Sequence, residues 1–408
     1  MKSFRQISTV LGFVAVACSD PAAPPVQPIT ELPRALTAGE SKVIAASNDF
    51  AFDLFRTGNR AQHNSNVFIS PLSASMALGM TANGAAGTTY DEMRAALRLG
   101  SATREEVNAG YKSLIELLTG LDRTTTFQIA NSIWYRQNFP FHASFLEESK
   151  TYFDARVEAL DFSSPTALTT INGWVSDQTN DRIPQILDEI RREEVMFLIN
   201  AIYFKGTWQK QFDKARTQSA PFHAADGTIE SVPMMWREAG VDHVATSEYS
   251  AVDLPYGNTA FTMTVVMPND TDIDTFAESF DQSKWNALVS SLKTSELEVY
   301  LPKFRLEWER LLNDDLEELG MRLPFVGGAA DFTRMSPAGR ELFITRVLQK
   351  TFVEVDEAGT EAAAATVVGI GEVSLPPSFR ADRPFLIVIR ERFSGAILFI
   401  GKIAKLPA

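Results

Sequence analysis

The chain has 408 residues, of which 45% are hydrophobic and 22% charged, a globular composition that excludes disorder, collagen and coiled coil. The net charge of −13 disfavours nucleic acid as a partner, because an acidic surface repels phosphates. A single cysteine, Cys18, excludes an intrachain disulfide and a cysteine-rich zinc site, and the four histidines form no close ligand pair. We therefore expect neither a metal nor a cofactor.

The first residues have the pattern of an export signal. Two basic residues precede an apolar run over residues 7–17, which is too short for a membrane helix of about 20 residues. Cys18 follows directly, so two interpretations stand. The segment resembles a bacterial lipoprotein signal, in which Cys18 is lipidated after cleavage, although Ala15 replaces the usual Leu; the other interpretation is plain secretion. We predict that residues 1–18 are the signal and that the protein is exported, either extracellular or anchored in the cell envelope.

Residues 19–39 are predicted to be a linker, and residues 40–408 a folded domain. The linker is rich in proline and would be extended at ~3.1 Å per residue, which would hold the domain off a membrane if Cys18 were lipidated. A lipid anchor is the only membrane contact that we expect, since no later segment is long and apolar enough to span a bilayer.

Helices are predicted for much of the first half of the domain. Apolar residues recur at helical spacing over residues 43–54, with Gly58 just beyond the expected end. A second helix is expected to begin at Pro71, because proline is favoured in a first helical turn. Residues 197–204 form a nearly continuous apolar run, as expected for a strand covered on both faces.

Strands dominate the second half. Residues 261–267 and 297–301 are predicted strands, each stopped by a proline, and a helix over 312–319 is closed by Gly320. Residues 385–389 and 396–400 flank a turn and predict a hairpin. The fold class is therefore α+β in one large domain.

A long strand over residues 347–355 leads into an unusual connection that ends near residue 377. It exceeds the common loop length of about four to six residues, and residues 362–371 contain no charge, no proline and nothing larger than isoleucine. As a strand, the segment would have one small, weakly polar face, made of Thr360, Ala362, Ala364, Thr366 and Val368. Such a strand could insert between two others without burying a charge. The residues allow equally a short helix beginning at Glu361.

The chain from residue 40 to 406 resembles the serpins, and the signal suggests a bacterial member. The resemblance rests on six motifs in the family's order: NVFISPLS at 66–73, INGWV at 171–175, NAIYFKGTW at 200–208, LPKF at 301–304, EAGTEAA at 357–363 and RPF at 383–385. It implies a fold of three β-sheets, one of them a large central sheet, with about nine helices and an exposed reactive loop.

The resemblance also implies an irreversible inhibitor of serine proteases rather than an enzyme. The protease attacks one bond of the loop and forms an acyl-enzyme, and the cleaved loop inserts into the central sheet before water can release it. The implied partner is a target serine protease in a covalent complex, and the protein itself is expected to be a monomer.

The reactive bond is placed by the resemblance at Val373–Ser374, sixteen residues after Glu357. No Lys or Arg lies between Lys350 and Arg380, so trypsin-like proteases lack a suitable residue, whereas Val373 suits the small pocket of elastase- or subtilisin-like proteases.

Other positions carry over from the family. The hinge and inserting loop comprise Glu357, Gly359, Thr360, Glu361, Ala362, Ala363, Ala364, Ala365 and Thr366. A polar "shutter" cluster beneath the central sheet comprises Ser70, Ser73, Asn200 and Gln349, where Gln349 replaces a frequent His and so removes any His-based pH response. At the "breach", where the loop enters the sheet, the family places Trp208 and an ion pair between Lys303 and Glu357.

Three rival interpretations remain. Ser290 and Lys293 match the S-x-x-K motif of penicillin-recognising enzymes, but the companion motifs are absent and a helix end explains the match. A serpin that inhibits nothing and serves as a carrier or chaperone is the second, and the alanine-rich hinge argues against it. Activation by a polyanion is the third, and the mixed charges over residues 104–116 argue against it.

Overall fold

The computed structural model describes residues 27–359 and 377–406. Nine α-helices lie in these ranges: α1 (Ala38–Ala61), α2 (Pro71–Gly84), α3 (Gly87–Ala96), α4 (Arg104–Gly120), α5 (Ala143–Phe153), α6 (Pro165–Gln178), α7 (Ile273–Ser279), α8 (Gln282–Ser291) and α9 (Asn313–Glu318). The same ranges contain fourteen strands: β1 (Val67–Ile69), β2 (Thr126–Arg136), β3 (Arg156–Leu160), β4 (Met196–Lys205), β5 (Gln218–His223), β6 (Ile229–Ala245), β7 (Tyr249–Pro255), β8 (Phe261–Pro268), β9 (Lys293–Pro302), β10 (Phe304–Leu311), β11 (Leu348–Val355), β12 (Ser378–Arg380), β13 (Phe385–Glu391) and β14 (Ile397–Ile403).

The strands of the described residues form three sheets, which confirms the predicted fold class. A nine-stranded sheet has the order β1-β14-β13-β8-β7-β6-β9-β12, with β5 paired to the first part of β6. A three-stranded sheet has the order β3-β2-β4, and β10 pairs with β11 in a two-stranded sheet. The predicted hairpin near the C-terminus is β13 and β14, which pair antiparallel.

Helix α1 is longer than the sequence pattern predicts. It begins at a capping box, in which Thr37 accepts from the Glu40 N–H and the Glu40 carboxylate accepts from the Thr37 N–H. It also runs through Gly58 and ends only at Gln62, whose N–H donates to the carbonyls of Gly58 and Asn59. The predicted stop at Gly58 is therefore wrong, because a glycine inside a helix costs only ~1 kcal/mol and packing can offset that.

Part of the predicted linker lies against the domain. The N–H of Ile29 donates to the Asn258 carbonyl (2.8 Å), and Arg34 forms an ion pair with the buried Glu40 (2.6 Å). The hydrogen bond from Arg34 outweighs the effect of burial and lowers the pKa of Glu40 to about 2. In the described part of the linker the chain is thus attached to the domain before residue 40, whereas residues 1–26, with the predicted signal, lie outside the described residues.

Strand β4 is covered on both faces, as its apolar run predicts. Phe197 and Ile199 pack into a small core with Trp174 of α6, whereas Leu198 and Ile202 pack against the main core on the other face. No described helix is both long and apolar enough to cross a bilayer.

Candidate functional site

A slot separates β4 of the three-stranded sheet from β11 of the two-stranded sheet, and this slot is the candidate site. A strand inserted there would join these two sheets into one, and it would not enter the nine-stranded sheet. Among the described strands β4 pairs only with β2, and β11 only with β10. The two strands run in the same direction, because the residues just after them, Thr207 and Asp356, both pair with Gly359, and Glu194 and Arg346 just before them form an ion pair. The cleft between them measures about 190 Å³, and the first turns of α2 contribute to its lining with Ser70, Ser73, Ala74 and Ala77. We call the C-terminal end of the two strands the upper end of the slot and the N-terminal end the lower end.

A tight hairpin turn over residues 356–359 closes the upper end. The N–H groups of Asp356 and Gly359 donate to each other's carbonyls at 3.2 Å, so the chain reverses directly after β11. Gly359 also forms an antiparallel bridge with Thr207, two residues beyond the end of β4. At φ +115° a side chain would be strained, and a Cβ there would lie 2.3 Å from the Trp208 nitrogen. Glycine is therefore required at this point.

The breach residues fix the turn to the body of the domain. The main-chain N–H of Trp208 donates to the Ala358 carbonyl and that of Phe212 to the Glu357 carbonyl, each at 2.9 Å. The indole N–H of Trp208 donates to the Asp356 carbonyl at 2.9 Å. The Trp208 ring stacks on Tyr256 with 4.4 Å between centroids. Trp208 therefore holds the turn through both its main chain and its side chain.

The ion pair expected between Lys303 and Glu357 is present. Lys303 Nζ lies 3.0 Å from Glu357 Oε2, and the Thr217 hydroxyl donates to Oε1 at 2.9 Å. Burial acts to raise the pKa of Glu357, but hydrogen bonds from its own backbone, from Lys303 and from Thr217 outweigh it, and the pKa is lowered. Glu357 is therefore held as a buried carboxylate at the turn.

The four shutter residues divide into two pairs that meet at the start of α2. Gln349 of β11 accepts from the Ser70 N–H (3.2 Å) and donates to the Ser70 carbonyl (2.8 Å). The Ser70 hydroxyl continues to the Leu398 carbonyl of β14. The first turn of α2 is thus fastened to β11 on one side of the slot.

The second pair lies on the β4 side. The Ser73 hydroxyl donates to the Asn200 carbonyl at 3.2 Å, and the Asn200 amide donates to Asn131 Oδ1 of β2 at 2.6 Å. The Oδ1 atom of Asn200 is buried without a partner in the described structure. The two sides therefore do not bond directly to each other, and the Asn200 oxygen keeps an open acceptor position.

Sequence reasoning missed three residues of this region. The sequence around Asn131 could have indicated a role, because it is a polar residue inside the largely apolar strand β2. The sequences around Tyr256 and Thr217 give no such indication.

The lower end of the slot is joined by a buried ion pair that the sequence did not predict. Arg346 Nε lies 2.8 Å from Glu194 Oε1, and Nη2 donates to Oε2 at 3.0 Å. The contact of Nε is electrostatic and lacks hydrogen-bond geometry, so the hydrogen bond of this pair is the one that Nη2 donates. The side chains are 10% and 1% exposed, so this pair is shielded from water. It joins the segment just before β4 to the segment just before β11.

Several predicted site residues cannot be placed. Cys18, the reactive residues Val373 and Ser374 and the loop residues from Thr360 to Thr366 lie outside the described residues. The strand and helix alternatives for the segment after Gly359 also concern residues outside the described ranges.

The S-x-x-K match spans the end of one element and the start of another. Ser290 lies in the last turn of α8, where its hydroxyl donates to the Ala287 carbonyl, and Lys293 begins β9. This is the helix end that the sequence suggested.

Comparison with known proteins identifies the family. The family model described as Serpin (serine protease inhibitor) matches residues 45–406. The leukocyte elastase inhibitor of Equus caballus is 33% identical over 376 residues, covering 88% of this chain and 98% of that protein. Serpin B11 of Homo sapiens is 32% identical over 388 residues, with the same coverage of both chains.

Solved structures agree with this match. Native tengpin, a thermophilic serpin, superposes with a TM-score of 0.82 at 30% identity, over 94% of this chain and 98% of tengpin. Human thyroxine-binding globulin also superposes with a TM-score of 0.82, at 26% identity, over 91% of this chain and 100% of the globulin. The same fold therefore occurs in a protein named as a binding globulin, so the fold alone does not distinguish an inhibitor from a carrier. By sequence and by structure, the chain belongs to the serpin family.

Proposed function

We propose that the protein is an irreversible inhibitor of elastase- or subtilisin-like serine proteases, which it traps as acyl-enzymes by inserting its cleaved loop into the slot. The observation that carries the proposal is the position of Gly359. It pairs with Thr207 on one side and with Asp356 on the other, at the upper end of a slot whose edges, β4 and β11, pair among the described strands only with β2 and β10. Gly359 thus occupies the place of the first residue of a strand between β4 and β11.

The two bridges define a register for the inserted strand. An antiparallel strand moves one residue forward for each residue back along its neighbours. Seven residues after Gly359 is Thr366, seven before Thr207 is Asn200, and seven before Asp356 is Gln349. Insertion in this register brings Thr366 between the shutter residues of the two strands.

This register also assigns the faces of the inserted strand. Paired residues in a ladder point to the same face, and the side chains of Asn200 and Gln349 point toward α2. The small residues Thr360, Ala362, Ala364, Thr366 and Val368 would then face inward. The Thr366 hydroxyl would be placed to donate to the unpartnered Oδ1 of Asn200.

Insertion would carry the protease from one end of the slot to beyond the other. The serine of the protease attacks the Val373 carbonyl, the Ser374 amine leaves, and Val373 remains esterified. Val373 lies fourteen residues after Gly359, so its place in the register is opposite Glu193, before β4 begins. The displacement is roughly 45 Å at ~3.3 Å per residue. Pulling on the acyl-enzyme disturbs its catalytic groups, and a misplacement of about 1 Å can cost about 100-fold in rate, so deacylation stalls.

The target class rests on Val373 and on the absence of Lys and Arg between Lys350 and Arg380. Relatives named as leukocyte elastase inhibitors support the same class.

The test uses the full chain with a panel of elastase-, subtilisin- and trypsin-like proteases. A complex that survives SDS, together with cleavage after Val373 by mass spectrometry, is expected with the first two classes only. Cleavage at the same bond without any complex would reject the inhibitor and favour a serpin that serves as a carrier or chaperone. The similarity to thyroxine-binding globulin is the observation that supports this second candidate.

The protein acts without enzymatic turnover and as a monomer, and it is exported, with Cys18 lipidated or with plain secretion. The mass of the mature protein from cells distinguishes a lipidated Cys18 from unmodified secreted chain.

A further inference from the structure

Four side chains form a row on the outer face of the nine-stranded sheet. Trp236 of β6 lies opposite Tyr300 of β9, and Tyr300 lies opposite Arg380 of β12. The Arg216 guanidinium is centred 3.3 Å from the Trp236 ring centroid, and the Arg380 guanidinium is 4.5 Å from that of Tyr300. We call these four residues the arginine–aromatic row.

Glu298 holds the two aromatic rings of the row in place. One of its carboxylate oxygens accepts from the Trp236 indole at 3.3 Å, and the other accepts from the Tyr300 hydroxyl at 3.2 Å. Stacking orients a guanidinium plane and leaves its N–H edge available for a carboxylate. Stacking on Trp236 therefore favours an orientation of Arg216 in which its N–H edge is available to a partner.

Arg216 forms no ion pair among the described residues, although the Glu298 carboxylate lies within the row and Glu238 lies opposite Glu298 on the same face of the sheet. Within the described residues no carboxylate lies within ion-pair distance of Arg216, Lys214 or Lys210, and all three are exposed. Arg380 has Asp382 at 3.4 Å, a weak contact at the surface. In a chain with a net charge of −13, the exposed Arg216 beside Trp236, with Lys214 two residues before it in the chain, is suited to bind an acidic group of a partner.

The row is also separated from the proposed reactive bond by only a short length of chain. Strand β12 begins at Ser378, four residues after Ser374, which is at most ~14 Å of extended chain. A protease domain of ~220 residues has a radius of gyration of roughly 17 Å. A protease seated on the reactive bond would therefore extend over this part of the sheet, on the side that follows the cleaved bond.

We propose that the arginine–aromatic row is a second contact surface for the target protease, and that it fits a protease with carboxylates beside its active-site cleft. This inference rests on the proposed function. Carboxylates of the protease would bind the outward N–H edge of Arg216, with Lys210 and Lys214 adding attraction at longer range. Such a contact changes the association rate and its salt dependence more than the later trapping step.

The experiment compares Arg216→Glu with Lys293→Glu. Lys293 is exposed, has no ion pair among the described residues and lies at the opposite end of β9, so it controls for the change in net charge. The probes are two subtilisin-like proteases, one of acidic and one of basic net charge, with the catalytic serine replaced by alanine. Binding is measured at low and high salt by surface plasmon resonance.

For the acidic protease we expect Arg216→Glu to raise Kd about tenfold at low salt, an effect that shrinks in high salt and is absent in Lys293→Glu. The basic protease should show no loss. Equal Kd values for the two variants, or an equal loss with both proteases, would overturn the inference. Binding that responds as expected while active protease forms no SDS-stable complex would leave this surface standing and reject the proposed inhibitor.

Discussion

Thr207 and Gly359 form an antiparallel bridge at the upper end of the slot, although 152 residues separate them in the chain. Gly359 is paired at the same time with Asp356, across the two-residue turn. A strand between β4 and β11 thus already has its first residue in position. Insertion would lengthen an existing hairpin and would not have to start a new one, which avoids the entropy of closing a loop.

The close approach at Gly359 can be tested by adding a methyl group. Gly359→Ala should lower the free energy of unfolding by about 3 kcal/mol, because a positive φ is combined with a clash against the Trp208 nitrogen. Gly227→Ala is the control, since Gly227 also has a positive φ (+85°) but nothing within 4 Å of a Cβ. It should cost only about 1 kcal/mol. Urea unfolding measures both, and equal losses would contradict the close approach.

The proposed register predicts which loop residue tolerates no charge. Thr366→Arg would place a guanidinium between Asn200 and Gln349, and burying it should slow insertion so much that the protease deacylates first. The number of inhibitor molecules consumed per protease inactivated should rise roughly tenfold or more. Thr366→Ser keeps the hydroxyl and should leave this number unchanged. If Thr366→Arg inhibits as well as the natural chain, the register is wrong.

Gln349 is expected to stabilise the intact protein through Ser70. Gln349→Ala removes both hydrogen bonds to the Ser70 main chain and leaves a buried N–H without a partner, at a cost of about 2 kcal/mol. Gln128→Ala, at an exposed glutamine of β2, should cost less than about 0.5 kcal/mol. Chemical denaturation measures the stability of both variants. Similar midpoints would show that the hydrogen bonds between Gln349 and Ser70 do not stabilise the intact protein.

The pair at the lower end of the slot should matter more than a surface ion pair. Arg346→Met leaves Glu194 buried without its cation and should cost about 3 kcal/mol. Arg191→Met, which breaks an exposed pair with Glu189, should cost less than about 1 kcal/mol. Replacing both Glu194 and Arg346 by Met should recover part of the loss. If Arg346→Met is as stable as Arg191→Met, the buried ion pair of Glu194 and Arg346 does not stabilise the fold more than a surface pair does.

The turn should weaken in acid because of Glu357. Its pKa lies below the ordinary value of 4.5, so its ionised form stabilises the fold at higher pH, and that contribution is lost as the pH falls below 4.5. Glu357→Gln should therefore be less stable than the natural chain at pH 7, and the difference should shrink as the pH is lowered below 4.5. Urea midpoints across this range test the sign. A difference that grows in acid would mean that the neutral carboxyl is the stabilising form.

Sequence alone predicted much of the fold because the elements are local. Proline at the start of α2 and alternation in β11 need no knowledge of the rest of the chain. Family motifs added the pair of Lys303 and Glu357, which the structure contains. The ion pair of Glu194 with Arg346 escaped prediction because it depends on which distant strands become neighbours.

The linker illustrates the opposite case. Its prolines predict an extended chain, but Ile29, Leu32 and Leu36 find an apolar surface to cover, and Arg34 finds Glu40. Composition indicates that such a segment lacks regular structure, and it does not indicate whether the segment docks.

The most direct test of loop insertion is the melting temperature of the protein before and after its loop is cut at Val373–Ser374 by a limited amount of elastase. The intact form should melt at a clearly lower temperature than the cut form, because in the cut form a new strand would pair along β4 and β11 and bury its small face. A cut protein that melts at the same temperature as the intact one would contradict insertion.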